Sequence, residues 1–284
     1  MTTTENGHLL IKTDGQNPVS LPKTLDCGQA FRWRPLANDR WRPLANDRWR
    51  GIAGGRAVEL EETAGGIVIF DTPQEETPFW RGYFDLDRDY TPIFKLGGEN
   101  ELLGEIFAAG RGIRLLNQAP FETICSFIIS ANNNIPRIKG IIERLCRLCG
   151  RHIGGDDYDF PTPEALCSLT VEDLAPIRAG FRAKYILDAA RKAASGEVSP
   201  EALRSMSTEE ARQLVMTIKG VGPKVADCAL LFGAGHISCF PRDVWIKRAM
   251  ETLFPEGLPE KTLPFAGIVQ QYIFDYIRNL KNIN

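Results

Sequence analysis

Two glycines one residue apart, Gly220 and Gly222, followed at once by Pro223, constrain this chain more tightly than any other feature. Glycine accepts a turn with positive φ, and proline suits the first turn of a helix, where its missing N–H leaves no bond unmade. The stretch from Ile218 to Arg248, IKGVGPKVADCALLFGAGHISCFPRDVWIKR, therefore reads as a hairpin near 218–224 that opens directly into a helix. Such a turn presents backbone N–H groups, and the glycines let a phosphate approach with no Cβ in the way, which makes a seat for a nucleic-acid backbone. Lys224 and Cys228 lie four apart on one helical face. Lys224 stands in the first turn, where the positive helix end favours a neutral, nucleophilic amine. Downstream, Pro241-Arg242-Asp243 ends a loop before another apolar-periodic run, so Asp243 reads as an N-cap carboxylate.

Charge distribution carries more than charge total. The formal net charge of −2 over 284 residues gives no sign of a polyanionic partner. Locally the balance is basic: five bases to one acid over 132–151, five to one over 176–192, and five to two over 218–248. Residues 56–101 instead carry eleven acids and four bases. The basic segments are those that would face a nucleic acid. The amino terminus has no apolar stretch flanked by bases, and no run approaches the ~18 apolar residues of a membrane span, so neither a signal peptide nor a membrane partner is expected. Seven cysteines then read as reduced thiols. Cys146 and Cys149, with His152 nearby, fall inside the helical pattern IIERLCRLCG and lack a second pair, which favours buried thiols over a metal site.

Along the chain the pattern changes once. Up to about residue 90, short β-rich runs (19–21, 31–33, 56–60 and 66–70) are separated by Gly-rich and acidic turns, which predicts an antiparallel sheet domain over 1–90. From Thr91 the periodicity is helical, predicting a mainly α-helical domain over 91–284; the fold class is α+β. Apolar helices around Phe121, Ile124 and Ile128 and over 138–148 flank three consecutive asparagines, 132–134, which are turn material. Arg34 to Trp41 reads RPLANDRW and is repeated unchanged from Arg42 to Trp49. Two copies of eight residues make no solenoid; the repeat reads as an enlarged hairpin loop, or as an added basic and aromatic arm for DNA.

GVGPKVADC followed by PRDV resembles the helix-hairpin-helix DNA glycosylases, specifically the 8-oxoguanine DNA glycosylase/AP lyase branch. The resemblance runs from Gly28 to Phe274 and implies a set of roles. Lys224 attacks the sugar C1′ and Asp243 assists. In NNN-I-x-R, Asn132 fills the gap left by a flipped base and Arg137 reads the orphaned cytosine. In GFRAKY, Phe181 wedges into the duplex and Arg182 contacts the same cytosine. The carbonyl of Gly28 in GQAFRW accepts a hydrogen bond from N7–H of 8-oxoguanine, Gln270 meets the Watson–Crick edge, and Phe274 and Cys228 sandwich the base. Gly220 and Gly222 contact the DNA backbone. Trp245 stands where familiar members have histidine, and Ile277 where they have an acid. The resemblance implies no metal or organic cofactor in the chemistry. No cysteine follows Cys239, so the iron–sulfur loop of endonuclease III-like relatives is absent. Expected with these roles are a monomer acting on duplex DNA that contains 8-oxoguanine, and a cytoplasmic, nucleoid-associated location if the source is bacterial.

Other readings of the same residues remain. A hairpin alone also fits a non-catalytic damage-binding module, with Lys224 on a phosphate and Asp243 only capping a helix. A monofunctional glycosylase for alkylated bases would activate water through Asp243 and has no use for Lys224.

Overall fold

Alternating burial builds the amino-terminal sheet. In a computed structural model, which describes residues 2–5, 7–13, 15, 17–36 and 48–281, six strands pair in the order β1 (Thr2–Glu5), β2 (His8–Lys12), β6 (Gly66–Ile69), β5 (Arg56–Thr63), β4 (Arg48–Ala53), β3 (Trp33–Pro35). Leu9 and Ile11 of β2, Leu60 of β5, and Ile67 and Ile69 of β6 are fully buried on one face, while their sequence neighbours, Gly66 apart, are not buried. That period of two is what a half-covered sheet requires. The register sets Leu9 opposite Ile69 and Trp33 opposite Gly51. A Cβ at Gly51 would fall inside the Trp33 ring, so glycine is the residue that lets the indole lie flat on the neighbouring strand. The Trp33 indole N–H donates to the Tyr83 hydroxyl at 2.7 Å, tying the sheet to helix α2 (Thr77–Tyr83).

One expected strand does not form, and its last residue starts a helix. Residues 19–21 read as β-rich, but Pro22 occupies the first turn of α1 (Leu21–Leu25), where its fixed φ suits a helix and its missing N–H would interrupt a strand ladder. The repeat at 34–49 lies mostly outside the described residues; both of its readings therefore do too. What is described is its boundary, where the Leu36 amide donates to the Arg48 carbonyl at 2.9 Å and closes the β3–β4 ladder.

The remaining elements follow in chain order: α3 (Thr91–Gly97), α4 (Glu101–Ala109), α5 (Pro120–Ser130), α6 (Ile135–Cys149), the short hairpin β7 (His152–Gly154) and β8 (Asp157–Tyr158), α7 (Pro163–Cys167), α8 (Ala183–Ala194), α9 (Thr208–Met216), α10 (Pro223–Ala229), α11 (Val244–Leu253) and α12 (Ala266–Lys281). They group into two compact units, neither continuous in sequence. The first comprises Met1–Gly51, Val58–Asn117 and Arg242–Asn284; the second comprises Ile52–Ala57 and Gln118–Pro241. In the second, Phe127 on α5 stacks on Phe232 at 5.5 Å between ring centres, and nine of the eleven residues of α5 are buried, which makes it the central helix of that unit. Among the described residues no helix is long and apolar enough to cross a membrane.

Candidate active site

In the second unit the hairpin is built as its glycines require. Helix α9 opens on a capping box: Ser207 Oγ accepts from the Glu210 amide and Glu210 returns the bond to the Ser207 amide at 3.1 Å. After α9 the chain reverses through Val221 N–H to the Ile218 carbonyl, 3.1 Å. Gly220 has φ +81°, and a Cβ there would enter the Tyr185 ring, so both conformation and space demand glycine. The Lys219 amide donates to Asp188 of α8 at 2.8 Å, anchoring the turn from beneath. Gly222 caps α10 and Pro223 fills its first position. Lys224 follows, half-buried, with its ammonium 5.4 Å from the centre of the Phe127 ring. Cys228, one turn on, is buried. Arg212 of α9 holds the far side of α10, with Nε donating to Asp227 at 2.7 Å. Beyond Ala229 the helix widens into a π segment, Leu230–Ala234, ended by Gly235 at φ +77°.

The asparagine turn, also in the second unit, divides its labour. Asn133 Nδ2 donates to the Ile129 carbonyl at 3.1 Å and closes α5; Asn134 Oδ1 accepts from the Arg137 amide at 3.0 Å and opens α6. Asn132, left-handed at φ +50°, is exposed and its side chain forms no hydrogen bond among the described residues. Arg137 and Phe181 are exposed as well, Phe181 by 56%. Arg182, expected at the DNA surface, is only 3% exposed and donates to the carbonyls of Ala131 and Asn132. Burial, with the nearby Arg137 charge adding to it, holds its guanidinium pKa below the usual arginine value.

In the first unit Gly28 has φ +81° and stands against helix α12: a Cβ built on it would lie 3.9 Å from the Phe274 ring. Gln270, one turn before Phe274 on α12, is buried and accepts from Gln271 Nε2 at 3.0 Å. Asp243 caps α11 as expected, with Oδ1 accepting from the Ile246 amide at 2.8 Å. The next two residues project outwards, Val244 80% exposed and Trp245 43%. Beside Phe274, the carboxyl of Asp275 is buried with Oδ2 unbonded, and burial raises its pKa above the usual carboxylate range. The same burial pushes the Cys27 thiol, next to Gly28, up to about 12, with the Asp275 charge as a second cause.

The structure thus brings Gly28, Gln270 and Phe274 together in one unit, and the hairpin, Lys224, Cys228 and the asparagine turn together in the other. Residues 11–124 match the family model described as the 8-oxoguanine DNA glycosylase amino-terminal domain, and residues 125–262 match the HhH-GPD superfamily of base excision DNA repair proteins. A probable N-glycosylase/DNA lyase of Methanothermobacter thermautotrophicus is 31% identical over 258 residues, 78% of this chain and 82% of that protein. The 8-oxoguanine glycosylase/lyase of Clostridium acetobutylicum, solved with duplex DNA containing cytosine opposite 8-oxoguanine, is 35% identical with a TM-score of 0.87, covering 99% of this chain and 98% of that one. MBOgg1, solved with a low-affinity DNA ligand, is 38% identical with a TM-score of 0.90 over 99% of both chains. The chain belongs to the 8-oxoguanine DNA glycosylase/lyase family.

In this 8-oxoguanine DNA glycosylase/lyase family member, two supports of the site escaped sequence reasoning. Gln29, fully buried, donates to the carbonyls of Thr24 (2.9 Å) and Arg114 (2.8 Å) and accepts from the Leu116 amide (2.9 Å), which fixes the chain immediately after Gly28. Arg114 is itself buried, donating to the carbonyls of Asn17 and Pro18 and lying 4.3 Å over the Tyr90 ring. Only the polar type of Gln29, set between Gly28 and the apolar Ala30-Phe31, hinted that it had buried partners. The Arg212–Asp227 pair left a similar trace, an acid inside the otherwise apolar run 225–231.

Proposed function

We propose that this chain is a bifunctional DNA glycosylase/AP lyase that excises 8-oxoguanine opposite cytosine in base excision repair. The observation that carries the reading is a lysine at the first turn of the hairpin's outgoing helix, half-buried over an aromatic ring, in a chain of this family. Lys224 attacks C1′ as the free amine. The C1′–N9 bond breaks, and the base leaves as 8-oxoguanine. Asp243 contributes its carboxylate charge as positive charge builds on the sugar. Ring opening and loss of a proton give an imine to Lys224. Removal of a C2′ proton then expels the 3′ phosphate and nicks the strand.

Discrimination falls to Gly28. Its carbonyl accepts from N7–H of the oxidised base, whereas guanine would oppose an N7 lone pair to that oxygen, an unpaired buried contact. Gln270 hydrogen-bonds the Watson–Crick edge, and Phe274 and Cys228 cover the two faces. Taking the base from the stack costs a few kcal/mol, which Asn132 and Phe181 offset by occupying the vacated place. Trp245 supplies an indole N–H beside the phosphate, and the hairpin amides at Gly220 and Gly222 bind the backbone. The protein acts as a monomer.

Borohydride trapping on a duplex with one 8-oxoguanine opposite cytosine tests the reading. A covalent adduct is expected from the parent and not from Lys224→Gln. Tight binding of the damaged duplex without any adduct from the parent refutes the lyase chemistry.

A further inference from the structure

Helix α12 carries two buried polar residues with no part in the chemistry above, Gln271 and Asp275. They stand one turn apart, on the same face of the helix. Gln271 Nε2 donates to Gln270 Oε1 at 3.0 Å. The other end of that amide, Gln271 Oε1, is buried with no hydrogen-bond partner among the described residues, and so is Asp275 Oδ2. Two bare acceptors on one face are both satisfied if the carboxyl keeps its proton, because a single O–H from Asp275 to Gln271 then serves the pair. Burial favours that proton, against the pull of Lys23, Arg278 and Asn279.

We propose that Gln271, backed by Asp275, is a positioning residue that fixes which way the Gln270 amide faces, and so makes the pocket choose guanine-type over adenine-type oxidised purines. The Gly28 carbonyl cannot make that choice. 8-Oxoadenine carries N7–H just as 8-oxoguanine does, so both satisfy the same acceptor. The two bases differ at the Watson–Crick edge: the guanine type sets the O6 acceptor beside the N1–H donor, and the adenine type sets an N6–H donor beside the N1 acceptor. A primary amide offers one donor and one acceptor side by side, so Gln270 fits either base by turning over. The Gln271 N–H on Oε1 holds one sense, because a turned Gln270 would set two NH2 groups against each other. Gln271 cannot turn with it while Asp275 presents an O–H, since that would again oppose two donors. The sense held is the one that meets O6 with Gln270 Nε2 and N1–H with the remaining lone pair of Oε1.

The inference rests on the repair reading above, and one set of rates separates the two. Single-turnover base excision is measured at neutral pH on duplexes with 8-oxoguanine or 8-oxoadenine, each opposite cytosine, using the full chain, Gln271→Leu, Gln271→Met and Asp275→Asn. The ratio of the two rates cancels whatever a variant does to stability, to DNA binding or to the lysine chemistry. In Gln271→Leu the ratio should shift roughly tenfold towards 8-oxoadenine. The 8-oxoadenine rate itself should rise, which damage to the fold cannot produce. Asp275→Asn keeps an N–H in place of the O–H, so its ratio should remain that of the parent. An unmoved ratio in Gln271→Leu, a shift carried only by slower release of 8-oxoguanine, or a ratio lost in Asp275→Asn overturns the proposal. If Gln271→Leu does not fold, Gln271→Met, unbranched and equally without an N–H, carries the same comparison. A parent that releases no 8-oxoguanine overturns the repair reading and this inference with it. A parent that releases 8-oxoguanine with a ratio indifferent to Gln271 overturns the inference alone.

Discussion

Removing one copy of the RPLANDRW repeat, by deleting residues 37–44, is expected to stabilise the protein. The β3–β4 ladder closes at the bond from the Leu36 amide to the Arg48 carbonyl, with eleven residues between those two positions. Deletion leaves three, Ala-Asn-Asp, and leaves every described pair in place, from Trp33 opposite Gly51 to Pro35 opposite Trp49. Three-residue hairpin loops are common, and Asn and Asp tolerate the left-handed residue they contain. Loop-closure entropy scales as (3/2)RT ln n, so shortening from eleven to three is worth about 1 kcal/mol. For a protein of this size that corresponds to a rise of about 2–4 °C in the thermal midpoint. Urea unfolding followed by tryptophan fluorescence, run at equal protein concentration on both chains, measures the difference directly. The urea midpoint should rise with the slope unchanged. A fall of about 1 kcal/mol or more would refute the argument, because it would mean that the second copy makes stabilising interactions that outweigh its entropy.

Asp243→Ala should cost about 1 kcal/mol of stability through the lost cap, whereas Asp243→Asn keeps the cap acceptor and should hold the thermal midpoint while slowing adduct formation; equal losses of stability in both would contradict this. Gly220→Ala combines a positive φ with collision against Tyr185 and should destabilise by about 1–3 kcal/mol, with part of the loss recovered in a Tyr185→Leu background, both read by urea unfolding. Asp275 has a pKa raised by burial, so its folded state resists ionisation and stability is lost as pH rises from the unfolded carboxylate range through the raised value. The cations facing it, Lys23 on α1 and Arg278 on its own helix, oppose that shift, as does Asn279, while Cys27 is the thiol beside it. Asp275→Asn should therefore stabilise the protein at pH 7 and lose that advantage below pH ~4; a difference that is flat with pH removes the premise.

How much of this was readable depended on whether a residue's partner was local. Gly220, Pro223 and Asp243 act on their own turn or cap, so composition and spacing sufficed to place the hairpin, the start of α10 and the start of α11. The Val19–Leu21 run misled because apolar character does not distinguish a strand from the approach to a short helix, and it is Pro22 that decides. Gln29 and Arg114 were opaque for the opposite reason. Their partners are up to 97 residues away, and a polar residue in sequence reveals a need for hydrogen bonds but not where they are met. The burial of Arg182 was equally illegible, since its partners are the carbonyls left at the end of α5, some 50 residues away. The π segment after α10 breaks no sequence rule and left no mark.

The discontinuity of the first unit has a consequence for how the protein is made. Its early helices and the turns that end them pack with residues 242–281: Gly110 lies against the Tyr272 ring, Lys261 pairs with Glu99 at 2.8 Å, and Arg278 pairs with Asp26 at 3.3 Å. During synthesis at roughly 5–20 residues per second, the whole intervening 118–241 segment emerges before α12 does. Helix α4 must therefore wait, with Phe107 lacking the Tyr272 ring that lies 5.9 Å from it, until α12 clears the ribosome. A ribosome stalled before Arg242 would hold a chain whose first unit is complete in sequence up to Asn117 and unfinished in structure.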